Sequence, residues 1–229
     1  VLHLFFIYLL GVSSDIKSQI KPILRLFLQL LIVVSFVITN ELNINHTRVL
    51  ILDNILLNYY FNIIFVSFCI LILINGTNFI DGLNGLVITY YLSILTIIFY
   101  LKSNYNLILN ENYIGVLIFS LIFLLILNLF NKLFLGDSGS YVLGLFFEYF
   151  LISLYSLNGD LSPFFIVLLL WYPCFEILFS IIRKFQLNKS PILPDKNHLH
   201  QLLYYFFSKK LIFKKNIINN CTSLIINFY

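Results

Sequence analysis

PILRLFLQLLIVVSFVIT, residues 22 to 39, carries one charge, Arg25, in its first turn and is otherwise almost wholly apolar. A helix needs roughly 20 mostly apolar residues to cross the hydrocarbon core of a bilayer, and this stretch comes close to that length. Working outward, comparable stretches lie near 54 to 74, 86 to 101, 112 to 130, 139 to 157 and 163 to 182. Hydrophobic residues make up 60% of the chain and charged ones 10%, with a mean hydropathy of +0.95, which excludes an ordinary water-soluble domain. The predicted fold is all-α: a polytopic transmembrane helical bundle, one membrane-embedded domain over residues 1–229, with loops on either side. Residues 1 to 10 read as the second half of a span, the chain opens on Val1, and an apolar run begins at Ile217. The expectation is a fragment that lacks N-terminal helices, and the C-terminal run is open to the same reading.

Charge sets the expected orientation. If the spans alternate, one set of connections with its flanks carries Lys17, Lys21, Arg25, Lys132, Arg183, Lys184, Lys189, Lys196, Lys209 and Lys210, whereas the other carries only Arg48 and Lys102. The positive-inside rule assigns the first set to the cytoplasm. Cys69, Cys174 and Cys221 cannot build a disulfide framework and read as small packing residues.

The same cytoplasmic connections concentrate the unusual polar chemistry. In NGTNFIDGLNGL, Asn75, Asn78, Asp81 and Asn84 recur every three residues with glycines between them. At helical spacing this places amides and a carboxylate on one face near a helix end, and bare backbone lets phosphates approach. A polar cap and turn is the bland alternative. FLGDSGS sets Asp137 between glycines before a new helix, where it suits Mg²⁺, a cation that takes few carboxylates plus water and phosphate oxygens. A helix cap is the competing reading there. The GDSG tetrapeptide also occurs in trypsin-like proteases, but opening an apolar helix with no disulfide-rich barrel is the wrong setting. PDKNHLH brings His198 and His200 beside Asp195 and Lys196 in the most basic loop, suited to anionic substrates; no cysteine or third histidine completes a zinc site. Asp15 precedes the helix that carries Arg25 and Gln29. Three carboxylates, Asp15, Asp81 and Asp137, converging on one interface would repel unless a divalent cation or protonation intervened.

Taken together, in order and spacing, these motifs resemble the polyprenyl-phosphate N-acetylhexosamine-1-phosphate transferase superfamily, glycosyltransferase family 4, which includes the phospho-N-acetylmuramoyl-pentapeptide transferases. The segment Gly11 to Asp15 resembles the family's acidic pair, Asn75 to Leu86 its NxxNxxDGxxGL, Phe134 to Ser140 its FxGDxGS, and His198 to Gln201 its HxHH loop; Glu176, with Arg183 and Lys184 after it, resembles a further acidic position. Ser14, Asn84 and Gln201 depart from the pattern. The resemblance implies an enzyme in which a lipid phosphate attacks the β-phosphorus of a UDP-sugar, giving polyprenyl-diphosphate-sugar and UMP with Mg²⁺, or Mn²⁺ in its place. It implies Asp15, Asp81 and Asp137 as catalytic, Asp137 as the metal ligand, and Asn75, Asn78, Asn84, Arg25, His198 and His200 as substrate contacts. The implied partners are polyprenyl phosphate, a UDP-N-acetyl amino sugar and the bacterial plasma membrane, with a homodimer compatible and no nucleic acid. The HLHQ loop favours the branch that starts O-antigen, teichoic acid or capsule glycans over the muramoyl-pentapeptide branch. A transporter built on Glu148 and Glu176 and a non-catalytic scaffold for glycan assembly are the readings from other classes.

Overall fold

The computed structural model describes residues 1–16, 21–105, 107–188 and 197–228. Lys17, Lys189, Asp195 and Lys196 lie outside them. The described residues are helical wherever they form regular structure. Eleven helices are described among them: α1 (Leu2–Asp15), α2 (Pro22–Thr39), α3 (Leu50–Leu56), α4 (Tyr59–Ile80), α5 (Leu86–Tyr105), α6 (Glu111–Leu129), α7 (Gly136–Leu157), α8 (Pro163–Leu169), α9 (Trp171–Gln186), α10 (Leu199–Lys210) and α11 (Lys215–Phe228).

Local chemistry explains several boundaries. Pro22 and Pro163 open α2 and α8, where a missing N–H costs nothing. Asn110 caps α6, its side-chain oxygen accepting from the N–H groups of Asn112 and Tyr113 at 3.0 and 3.4 Å. By length and apolarity α2, α4, α6 and α7 can each cross a membrane. The predicted span over 163 to 182 is not straight. It is the pair α8 and α9, bent by 71° at the break. Pro173 cannot donate the i→i−4 hydrogen bond to Leu169, which accounts for a bend at this point. The predicted span at 54 to 74 starts later, at Tyr59, because the short helix α3 and a turn at Asn58 precede it.

The chain divides into two compact units. The first comprises Val1–Asn78 and Gly136–Ile177. Its core is built by α1, α2, α4 and α7 around Ile7, Val33, Val66, Ile70, Ile74, Tyr141 and Leu145. A Cβ on Gly11 of α1 would lie 2.3 Å from the Ser138 Cα of α7, so these backbones pack closer than a side chain allows. Lipid tails are as apolar as leucine, and close backbone packing of this kind is what associates helices in a membrane. The second unit comprises Phe79–Leu135 and Leu178–Tyr229; in it α5 packs on α6 and on α11, and α10 on α11.

Candidate functional site

In the first unit, α1 ends and α7 begins at the same place. The first N–H groups of any helix lack intrahelical partners. At the head of α7 the N–H groups of Asp137 and Ser138 donate to the two carboxylate oxygens of Asp15, at 2.8 and 3.1 Å. Asp15 therefore caps α7 from another helix, where its negative charge also meets the positive end of the helix dipole. Gly136 makes the cap fit: its φ is +60°, and a Cβ there would lie 2.8 Å from an Asp15 oxygen.

The cap turns the Asp137 side chain into a ring of donors. Its Oδ2 accepts from the Ser14 hydroxyl at 2.5 Å, the Arg25 guanidinium at 2.9 Å and the Tyr141 hydroxyl at 3.3 Å; its Oδ1 accepts from the Asn78 amide at 2.6 Å. The same Arg25 nitrogen donates to the Ser14 oxygen at 2.8 Å. Arg25 and Asp137 side chains are 29% and 25% exposed, so the pair remains open to solutes. Asn78 also donates to Ser140, at 3.2 Å. Asn75 instead turns to Gln29, a fully buried residue of α2, at 3.0 Å, and to the Leu71 carbonyl at 2.9 Å.

The four regularly spaced polar residues do not share one helical face. Helix α4 stops at Ile80; Asn75 and Asn78 lie on it in the first unit, whereas Asp81 and Asn84 lie in the turn that follows, in the second. In that turn the Asn84 amide donates to Asn131 at 2.6 Å and its backbone N–H donates to Asn219 at 2.8 Å, while the Gly85 N–H donates to Asn128. Asn84 thus ties the turn to the end of α6 and to α11. His198 precedes α10, and His200 is fully buried within it. Their rings are parallel within 2°, with centroids 5.7 Å apart, and Phe79 lies 5.3 Å from His198.

Of the three predicted carboxylates, the structure joins Asp15 and Asp137; Asp81 belongs to the second unit. Among the described residues no three His, Cys, Asp or Glu side chains gather as a metal site. Repulsion between Asp15 and Asp137 does not call for a cation, because Arg25 and two backbone N–H groups already compensate them. Sequence reasoning did not single out Tyr141, Phe79, Asn128 and Asn131, which have no periodic signal; their proximity comes from chain segments far apart in sequence. Glu148, one of the two acids behind the transporter reading, is buried in the first unit and has an oxygen without a hydrogen bond. It lines an apolar cavity of about 310 Å³ with Cys69, Cys174, Ile152 and Leu170.

Three curated proteins are similar in sequence over part of this chain. An undecaprenyl-phosphate alpha-N-acetylglucosaminyl 1-phosphate transferase of Thermotoga maritima is 32% identical over 142 residues, 61% of this chain and 40% of that protein. A probable undecaprenyl-phosphate N-acetylglucosaminyl 1-phosphate transferase of Bacillus subtilis is 36% identical over 137 residues, 58% of this chain and 37% of that protein. A decaprenyl-phosphate N-acetylglucosaminephosphotransferase of Mycolicibacterium smegmatis is 27% identical over 164 residues, 57% of this chain and 37% of that protein. The matches span about two fifths of the length of these relatives. The family model for glycosyl transferase family 4 matches residues 1–155, a segment that contains the Asp15 cap, the Asn-rich motif and the Asp137 donor ring. With that match over more than half of its length, this membrane-embedded chain belongs to glycosyl transferase family 4.

Proposed function

We propose that this chain transfers N-acetylhexosamine 1-phosphate from a UDP-sugar to a polyprenyl phosphate, releasing UMP, at the cytoplasmic face of a bacterial plasma membrane. The observation that carries the proposal is the Asp137 cluster. Phosphoryl transfer demands positioning and charge compensation more than covalent chemistry. A carboxylate fixed on both oxygens, one neighbouring arginine and a partly open surface supply that environment. The named relatives act on polyprenyl phosphates and an N-acetylglucosaminyl phosphate group, which supports the same acceptor and sugar class here.

Mg²⁺ fits this donor set. It is satisfied by one or two carboxylates when water and phosphate oxygens fill the remaining positions, and Asp137 is a solvent-reached carboxylate at a helix head. Asp137 would hold the ion. When bound, Mg²⁺ supplies charge neutralisation for the diphosphate oxygens. The protein's own groups do the rest. Asp15 fixes the turn that aims Asp137, and Asn78 holds its other oxygen. Arg25, 29% exposed, would pair with a substrate phosphate, as guanidinium groups do well. In the second unit, His198 and His200 are assigned as a pair to phosphate binding, a role imidazole donors can fill.

UMP release by the purified protein, given polyprenyl phosphate and a panel of UDP-N-acetyl amino sugars with and without Mg²⁺, tests the reading. Release that requires both the lipid and Mg²⁺ supports it and names the donor. A folded sample that releases none with any sugar overturns it.

A further inference from the structure

Within the second unit, the Asn-rich motif and the histidine loop meet at a single glycine. A Cβ built on Gly82 would lie 2.1 Å from Nε2 of His200, 2.6 Å from its Cδ2 and 3.2 Å from its Cε1. The imidazole therefore lies edge-on against the bare Cα, with no room for even a methyl group. The sequence alone suggested that bare backbone in this motif admits a phosphate; at Gly82 the side that a Cβ would take is filled by His200. Three residues earlier on the same motif, Phe79 packs on the ring of His198 at 5.3 Å, tilted by 50°. The two imidazoles then stack on one another, parallel within 2°. The short segment from Phe79 to Gly82 thus touches both members of the pair, one through an aromatic face and one through a missing side chain.

We propose that Gly82 and Phe79 are positioning residues for His198 and His200, setting the plane and depth of the imidazole pair for its contact with substrate phosphate. Gly82 has no positive φ. An alanine at 82 is consequently acceptable to the local backbone, and its cost falls on His200. His200 is fully buried and His198 is 5% exposed, so a displaced ring must push on packed neighbours, and the expected relief is outward movement. The role assigned to the histidines rests on the transferase reading; the geometry of their cradle does not.

Two readouts separate those dependencies. Carbethoxylation by diethyl pyrocarbonate, followed by mass spectrometry of the intact membrane protein in detergent, reports ring access without any turnover. Wild-type His200 is expected to be protected while exposed His46 reacts, and Gly82→Ala is expected to raise the His200 rate by about tenfold or more, a change beyond ordinary surface substitutions. Phe79→Leu, which keeps bulk and removes the ring, should raise the His198 rate in the same way and serves if Gly82→Ala does not fold. Unchanged protection of the matching histidine in a folded variant overturns the cradle. The activity arm is a double-mutant cycle on UMP release: Gly82→Ala should lose as much as His200→Asn, and adding Gly82→Ala to His200→Asn should cost nothing more, because the shorter side chain leaves room for the methyl group. Losses that multiply overturn the claim that Gly82 acts through His200. If wild type shows no transfer, the labelling arm still decides the cradle, and only the transferase reading has failed.

Discussion

Asp15 accepts hydrogen bonds from two successive backbone N–H groups, those of Asp137 and Ser138, and so holds the start of α7 from the end of α1. Its carboxylate is engaged by the backbone of Asp137, the residue proposed as the metal ligand. A cap of this type is worth about 0.5–2 kcal/mol. Asp15→Ala should therefore lower the unfolding midpoint in detergent and cut UMP release, whereas Asp15→Asn, which retains one acceptor, should fall between the two. Thermal unfolding measured beside turnover checks this, and equal stability in Asp15→Ala and wild type would remove the capping role.

Gly136→Ala places a Cβ 2.8 Å from an Asp15 oxygen on a residue whose φ is +60°. Left-handed backbone costs an alanine about 1–2 kcal/mol, and loss of the cap adds to it. The variant should be less stable than Asp15→Ala, and the two changes combined should be less than additive, since both act on one contact.

Asp137→Ala should abolish transfer while the protein still inserts and purifies as a folded species. Arg25→Gln should lower turnover by about tenfold or more through loss of its substrate-phosphate contact, while the protein stays folded because Ser14, Tyr141 and Asn78 continue to hold the carboxylate. Normal turnover of Asp137→Ala would sink its assignment as the metal ligand.

On the connection between α2 and α4, the Thr47 hydroxyl and backbone N–H donate to Asp53 at 2.5 and 2.6 Å and hold its carboxyl below the ordinary 3.8. A lowered folded-state pKa means that the contact is fully present above the unfolded value and is lost as pH falls through the folded one. The protection of the Thr47 amide, relative to a free amide at the same pH, should hold at neutral pH and be lost only in acid below 3.8, and Asp53→Asn should flatten that profile.

Glu148 lines an apolar cavity with one oxygen lacking any hydrogen bond. Such burial costs about 1–3 kcal/mol, so Glu148→Met should raise the unfolding midpoint. A fall instead would show that the acid is satisfied in the membrane.

Span positions and the family were legible because lipid and phosphate chemistry impose strong local constraints: about 20 apolar residues per crossing, and glycine beside aspartate at interfacial turns. The 71° bend between α8 and α9 was not, although Pro173 was visible, because a proline signals a broken ladder and not the direction taken after it. Asn78 and Asn84 share one repeat yet serve different units, since the repeat outlasts the helix by only a few residues. That Asp15 accepts from N–H groups of another helix was not legible, because the relation exists only once α1 and α7 have packed.

The bond from the Gly85 N–H to Asn128 has a bearing on the chemical ageing of the protein. Asparagine followed by glycine is the pair most prone to deamidate, because the glycine nitrogen can swing onto the asparagine side-chain carbonyl and close a succinimide ring. At Asn84–Gly85 that nitrogen is engaged by Asn128, and the Asn84 amide is engaged by Asn131. Ring closure would have to break both. The turn between α4 and α5 is therefore durable over the lifetime of the molecule despite carrying the least durable dipeptide in protein chemistry.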